Sequence, residues 1–219
     1  QINVMKDLKL AKGLILKAIP KLSASEMKVM KDYPAVVVAR AIEAKNPRKK
    51  AEELNKLFKE LSEEYPAVIA TIAIEAENPR KKAEELNKLF KELSEEYPYP
   101  VAARAIRAKN PRKKAEELNK LFKELIREYP YPVAAIAIEA ENPRKKAEEL
   151  NKLFNELSEK YPYLIAAIAI GAKNPRRKAE ELNKLFNELI KEYPYSIAAR
   201  AIGAKNPRKK AEELVLEEA

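Results

Sequence analysis

Three cationic side chains follow an Asn-Pro pair at Arg48, Lys49 and Lys50, and the pattern returns at Arg80-Lys81, Arg112-Lys113, Arg144-Lys145, Arg176-Arg177 and Arg208. Cations at this spacing could hold an anion such as phosphate. A proline that opens a helix adds N-terminal N–H groups aimed the same way. A second recurring set is the paired carboxylates, of which Glu52-Glu53 is the first. Paired carboxylates can do acid–base chemistry only if one of them keeps its proton near neutral pH. On a solvated face with lysines nearby no such upward shift is expected. The rest of the catalytic repertoire is missing: the chain has no His and no Cys, only Asp7 and Asp32 as aspartates, and three Gly, so it has no Gly-rich phosphate loop. Disulfides and thiolate metal sites are excluded by composition. The expectation is a protein that is not an enzyme and uses no cofactor or metal.

These side chains are positioned by a 32-residue block, NPRKKAEELNKLFKELSEEYPAVIATIAIEAE, that starts at Asn46, Asn78, Asn110, Asn142 and Asn174, with a shorter copy from Asn206. Self-similarity at this period marks a solenoid, in which each unit packs only on its neighbours. Within a block, Ala51, Leu54, Leu57, Phe58, Leu61 and Tyr65 form one apolar stripe at helical spacing, and Glu and Lys fill the other side. Asn46 suits the N-cap and Pro47 the first helical position, which predicts an outer helix over 47–64. Pro66 ends it and opens a second helix, predicted over 66–77, that is apolar on most sides and therefore buried between neighbours. Two-residue connections make consecutive helices antiparallel. The expected fold is all-α: a right-handed α-solenoid of antiparallel helix pairs. Its segments are an N-terminal cap with the first inner helix over 1–45, five tandem repeats over 46–205, and a partial repeat or cap over 206–219, in one continuous domain. Residues 1–19 read as an extra helix, and Ser23 to Glu26 as a capping box.

Differences among copies concentrate on one side of the inner helix. At 100° per residue, positions 36, 40 and 43 and their counterparts fall in one stripe. The side chains singled out there are Arg40, Ile72, Arg104, Arg107, Ile136, Leu164, Ile168 and Arg200. Apolar anchors rimmed by arginine have the composition of interface hot spots. If this stripe lines the concave side, it is a groove for a peptide or protein. The alternatives are drift of an unconstrained surface and a self-association face. The basic helix starts likewise have two readings. Either Arg48, Lys49, Arg80, Lys81, Arg112, Lys113, Arg144, Lys145, Arg176 and Arg177 form an anion-binding ridge, or they are a solvated face offset by pairs such as Arg48–Glu52 and Lys49–Glu53. Asn55, Asn87, Asn119, Asn151 and Asn183 border the apolar stripe and are expected to form a hydrogen-bonded row. Tyr65, Tyr97, Tyr129, Tyr161 and Tyr193 are expected to pack at the turn.

Net charge is +10 with signs interleaved, so no polyanion-binding tail is present. No secretory leader and no apolar run of membrane-spanning length are seen, which predicts a cytoplasmic protein with no membrane partner.

The helix pair, with KKAEELNKLFKEL as its second helix after Tyr-Pro, resembles tetratricopeptide and pentatricopeptide arrays over residues 34–214. It lacks the tetratricopeptide Trp/Leu-Gly/Tyr pattern, and its inner stripe lacks the polar code residues of pentatricopeptide RNA readers. The Tyr-Pro junction is faintly similar to mitochondrial termination-factor repeats. Near-identical copies without Cys, His or Trp also resemble designed or consensus repeat proteins, which implies a scaffold with no natural ligand. The leading expectation is a peptide- or protein-binding scaffold, and the runner-up is a nucleic-acid-binding solenoid that uses the basic helix starts.

Overall fold

The computed structural model describes residues 31–219, and the extra helix and capping box expected over 1–26 lie outside the described residues. Every regular element among the described residues is a helix. Long helices of one kind are α2 (Pro47–Glu64), α4 (Pro79–Glu96), α6 (Pro111–Glu128), α8 (Pro143–Lys160), α10 (Pro175–Glu192) and α12 (Pro207–Glu218). Short ones precede each of them: α1 (Ala35–Ala41), α3 (Ala67–Ala73), α5 (Tyr99–Ala105), α7 (Tyr131–Ala137), α9 (Tyr163–Ala169) and α11 (Tyr195–Ala201). The fold class is an α-solenoid of helix pairs repeating every 32 residues.

The long helices begin and end where the sequence places them, for local reasons. Asn46 Oδ1 accepts from the Lys49 backbone N–H at 3.3 Å, and the same cap recurs at Asn78, Asn110, Asn142, Asn174 and Asn206. Each cap satisfies one of the N–H groups that a helix start leaves unpaired. Tyr65, driven extended by the proline after it (φ −123, ψ 157), closes α2 by donating its N–H to Leu61 O at 2.8 Å. Asn142→Ala should lower stability by about 1 kcal/mol, read from the denaturant midpoint at constant m-value.

The short helices are shorter than the predicted 66–77: α3 is seven residues and ends at Ala73. Ile74 is its C-cap, and Ala76 N–H donates to Ala73 O at 3.0 Å in a tightened turn. The cause lies downstream. Pro79 bars Asn78 from the α region, and Asn78 must serve as the N-cap of α4, so the residues between turn early.

Two compact units divide the chain, Gln1–Asn119 and Lys120–Ala219, with the boundary inside α6. In the first, α1 packs on α2, α2 on α3, α3 on α4 and α4 on α5, around fully buried Val37, Leu61, Ile69, Ile74, Leu93 and Val101. In the second, α7 packs on α8, α8 on α9, α9 on α10, α10 on α11 and α11 on α12, and α7 also touches α9 directly. Its core holds Phe122, Leu125, Ile138, Ile165, Leu189 and Leu214. No polar or charged residue is buried among the described residues, so burial of apolar area drives the packing.

Candidate functional site

The short helices present their buried and open sides as the helical wheel predicts. Ile69, Ala70, Ala73 and Ile74 are fully buried, as are Val133, Ala134, Ala137 and Ile138. None of the eight stripe residues is buried: Arg107 and Arg200 are exposed, and Arg40, Ile72, Arg104, Ile136, Leu164 and Ile168 are half-buried. The stripe is thus the side on which the inner helices remain accessible. Four of its members lie in each compact unit.

In the Gln1–Asn119 unit the Arg40 guanidinium donates to the carbonyl of Ile74, the C-cap of α3. A cation there answers an unpaired helix-end carbonyl and the negative end of the helix dipole. Arg104 keeps its Nε buried without a hydrogen-bond partner, and Arg107 makes no ion pair among the described residues. In the Lys120–Ala219 unit Ile136 and Ile168 take the equivalent place in the first two inner helices and Arg200 takes it in the third. Ile136 Cδ1 lies 3.7 Å from where a Gly171 Cβ would sit, and Ile168 Cδ1 lies 3.8 Å from the corresponding point at Gly203. Each isoleucine therefore leans on the turn that ends the next inner helix. Arg200 approaches Glu218 of α12 at 3.5 Å, an exposed pair that adds little stability.

Gly171 and Gly203 are not demanded by the backbone, since neither has positive φ and an added methyl would meet ordinary contact distances. Gly171→Ala should raise stability by about 0.4–1 kcal/mol through the unfolded chain's entropy, visible as a higher melting temperature.

The first arginine of each basic helix start is paired with a glutamate. Arg80 pairs with Glu60, Arg112 with Glu92, Arg144 with Glu124, Arg176 with Glu156, and Arg208 with Glu188 at 2.7 Å. Each carboxylate lies 20 residues back, on the preceding long helix. Of the expected i,i+4 pairs, Arg48–Glu52 forms at 3.6 Å and Arg177–Glu181 at 3.0 Å. The Lys49–Glu53 pair does not form, and the ammonium groups of Lys49, Lys81, Lys113 and Lys145 are exposed with no partner among the described residues. The N–H groups at the third helical position are already taken by the Asn caps.

A crevice of about 620 Å³ opens beside one of these junctions, lined by Glu156, Lys160, Tyr161, Asn174, Arg176 and Glu180 among others. Its counterpart of about 440 Å³ is lined by Glu64, Tyr65, Asn78, Arg80, Lys81 and Glu84. Both signs of charge line each: with Arg177 the first holds three cations against two carboxylates, and in the second two cations face two carboxylates. At the equivalent junction the Tyr97 hydroxyl is pushed above its ordinary pKa, first by partial burial and then by the Glu96 and Glu116 carboxylates, with Arg112 opposing.

The repeated asparagines do not form the expected hydrogen-bonded ladder. Asn119 and Asn151 keep a buried Oδ1 without a partner, and no hydrogen bond joins the row among the described residues. Tyr65, Tyr97, Tyr129, Tyr161 and Tyr193 are half-buried at the turns, as expected.

Sequence reasoning overlooked a second set of tyrosines, Tyr99, Tyr131, Tyr163 and Tyr195, each the first residue of a short helix. Each meets a phenylalanine of the preceding long helix edge-on: Phe90, Phe122, Phe154 and Phe186, at centroid distances of 5.5–5.8 Å. The signal was in the copies. Ala35 and Ala67 hold this position in the first two inner helices and Tyr in the rest. Where Ala67 stands, Phe58 is only half-buried, and the four phenylalanines covered by tyrosine are buried.

No group of three or more acidic side chains is placed to hold a metal, and no helix is long and apolar enough to cross a membrane, among the described residues. No family model, no curated protein and no solved structure matches the chain, so its likeness to tetratricopeptide-type arrays rests on the repeated helix pair alone.

Proposed function

We propose that this chain is a non-enzymatic repeat scaffold that binds a peptide or protein segment along the accessible stripe of its inner helices. One observation carries the reading: the direction of the inner helix in which the copies differ is the direction left open to solvent. Ile72 is a half-exposed apolar side chain on that open side in the unit that also holds Arg40, Arg104 and Arg107, and Ile136, Leu164 and Ile168 are half-exposed in the unit that holds Arg200. Apolar anchors beside arginine favour a protein ligand. The nucleic-acid alternative is disfavoured because the first arginine of most basic helix starts is tied to a glutamate.

The test is a displayed-peptide selection against the intact chain, followed by titration of the enriched peptides. Binding should fall at least about 100-fold in the Ile136→Asp/Ile168→Asp double variant, while far-ultraviolet circular dichroism stays unchanged. Equal binding by parent and variant removes the stripe as the site. Generic RNA and DNA titrated at two salt concentrations decide the alternative, since phosphate-driven binding must weaken steeply with salt.

A further inference from the structure

We propose that the end of α5 takes neighbouring carboxylates of the bound segment, through Arg104, Arg107 and Lys109, so that the partner of the Gln1–Asn119 unit is an acidic peptide. This rests on the reading that the inner face takes a peptide, and it names that peptide's chemistry. Arg104 and Arg107 are three residues apart at the helix end, which sets them on one side, and Lys109 follows in the turn. The same three positions hold Ile72, Glu75 and Glu77 at the end of α3, and no other copy fills all three with cations. Arg104 is also the one arginine of its row without a partner. Where other copies carry arginine there, Arg40 donates to the Ile74 carbonyl and Arg200 approaches Glu218 at 3.5 Å. Arg104 makes no hydrogen bond or ion pair among the described residues, and its Nε is closed off from water. A guanidinium that has already lost part of its hydration gives up less when a carboxylate arrives, and the charge-assisted bond formed there is stronger than at an open surface.

Stability does not account for the cluster. One cation at a helix C-terminus is favoured by the dipole, but a second three residues on repels the first. Arg107 is exposed and has no ion pair among the described residues to offset that repulsion. The surroundings select a peptide over a nucleic acid. α4 packs on both α3 and α5, and the end of α3 carries carboxylates where the end of α5 carries cations. A nucleic acid following the inner helices bears a charge at every phosphate and would meet Glu75 and Glu77. A peptide can confine its carboxylates to α5 and set an apolar side chain on Ile72, which is half-exposed and holds in α3 the place of Arg104 in α5.

The experiment is a fluorescence-anisotropy titration of the full chain with the labelled peptide Gly-Ser-Glu-Glu-Leu-Glu-Ser-Gly and with analogues in which every Glu is Gln or Lys. The acidic peptide should bind at least about tenfold more tightly than the Gln analogue, and the Lys analogue should be the weakest. Arg107→Glu, at an exposed position, should weaken the acidic peptide at least about tenfold and strengthen the Lys analogue. Arg104→Gln repeats the test should that variant melt early. Lys205→Glu makes the same change of charge at the turn after α11 and should leave binding unaltered. The proposal is overturned if the acidic and Gln peptides bind alike, if both arginine variants keep full affinity, or if Lys205→Glu costs as much as Arg107→Glu. It is likewise overturned if a uridine decanucleotide outcompetes the acidic peptide and is itself lost with Arg107→Glu. If selected peptides bind and lose affinity in the Ile136→Asp/Ile168→Asp variant while the acidic peptide matches its Gln analogue, this inference fails and the inner-face reading stands. If no peptide of any kind binds, both fall.

Discussion

Phe154→Ala is expected to destabilise the chain by about 3–5 kcal/mol, the range for truncating a buried aromatic. Phe154 is one of the core residues of α8 and its ring meets Tyr163 edge-on at 5.5 Å, so the truncation removes that ring contact together with the buried area and leaves a cavity. Urea unfolding followed by circular dichroism should show the midpoint fall. Phe58→Ala should cost clearly less. Phe58 faces Ala67 in place of a tyrosine and is already half-exposed, so less apolar area and a smaller void are at stake. Equal losses at the two positions would mean that the tyrosine contributes nothing to the burial of its phenylalanine.

Ile165→Ala is expected to cost about 2–5 kcal/mol, whereas Ile168→Ala, three residues along the same helix, should cost about 1 kcal/mol or less. Ile165 is 0% exposed, on a helix that packs against both α8 and α10. Ile168 is half-exposed and leans on the turn at Gly203. Because repeats stabilise one another through nearest-neighbour contacts, the Ile165 variant should lose hydrogen-exchange protection first in α8, α9 and α10. Comparable losses at 165 and 168 would contradict the division of the inner helix into a held side and an open side.

That division was legible in the sequence because the repeat supplies its own comparison: Ile42, Ile74, Ile106, Ile138, Ile170 and Ile202 never change, and positions 72, 104 and 136 do. The limits of the long helices were legible too, because Asn-Pro and Tyr-Pro are local punctuation whose effect is decided within a turn. The end of the short helices was not. Apolar periodicity runs on through Glu77, and nothing in that run states that Asn78 will be claimed as the cap of the next helix. The partners of Arg80 and Arg144 are not legible from four-residue spacing on one helix, because the pairs that form reach 20 residues back to another. The asparagine row failed as a ladder for a related reason. Equal spacing in sequence gives each amide the same place on its own helix, but hydrogen bonding needs donor and acceptor within about 3 Å, which periodicity alone does not deliver.

The backward reach of those arginines bears on how such a chain changes length. Arg144 finds its carboxylate in the copy behind it, and Glu156 offers the same to the copy ahead. A whole block gained or lost by duplication or deletion carries one half of each of two such bridges, and its new neighbours carry the other halves. Growth in whole blocks therefore strands no charge at the splice. Insertion of any other length would shift one partner off the opposing helix and leave both ions to water.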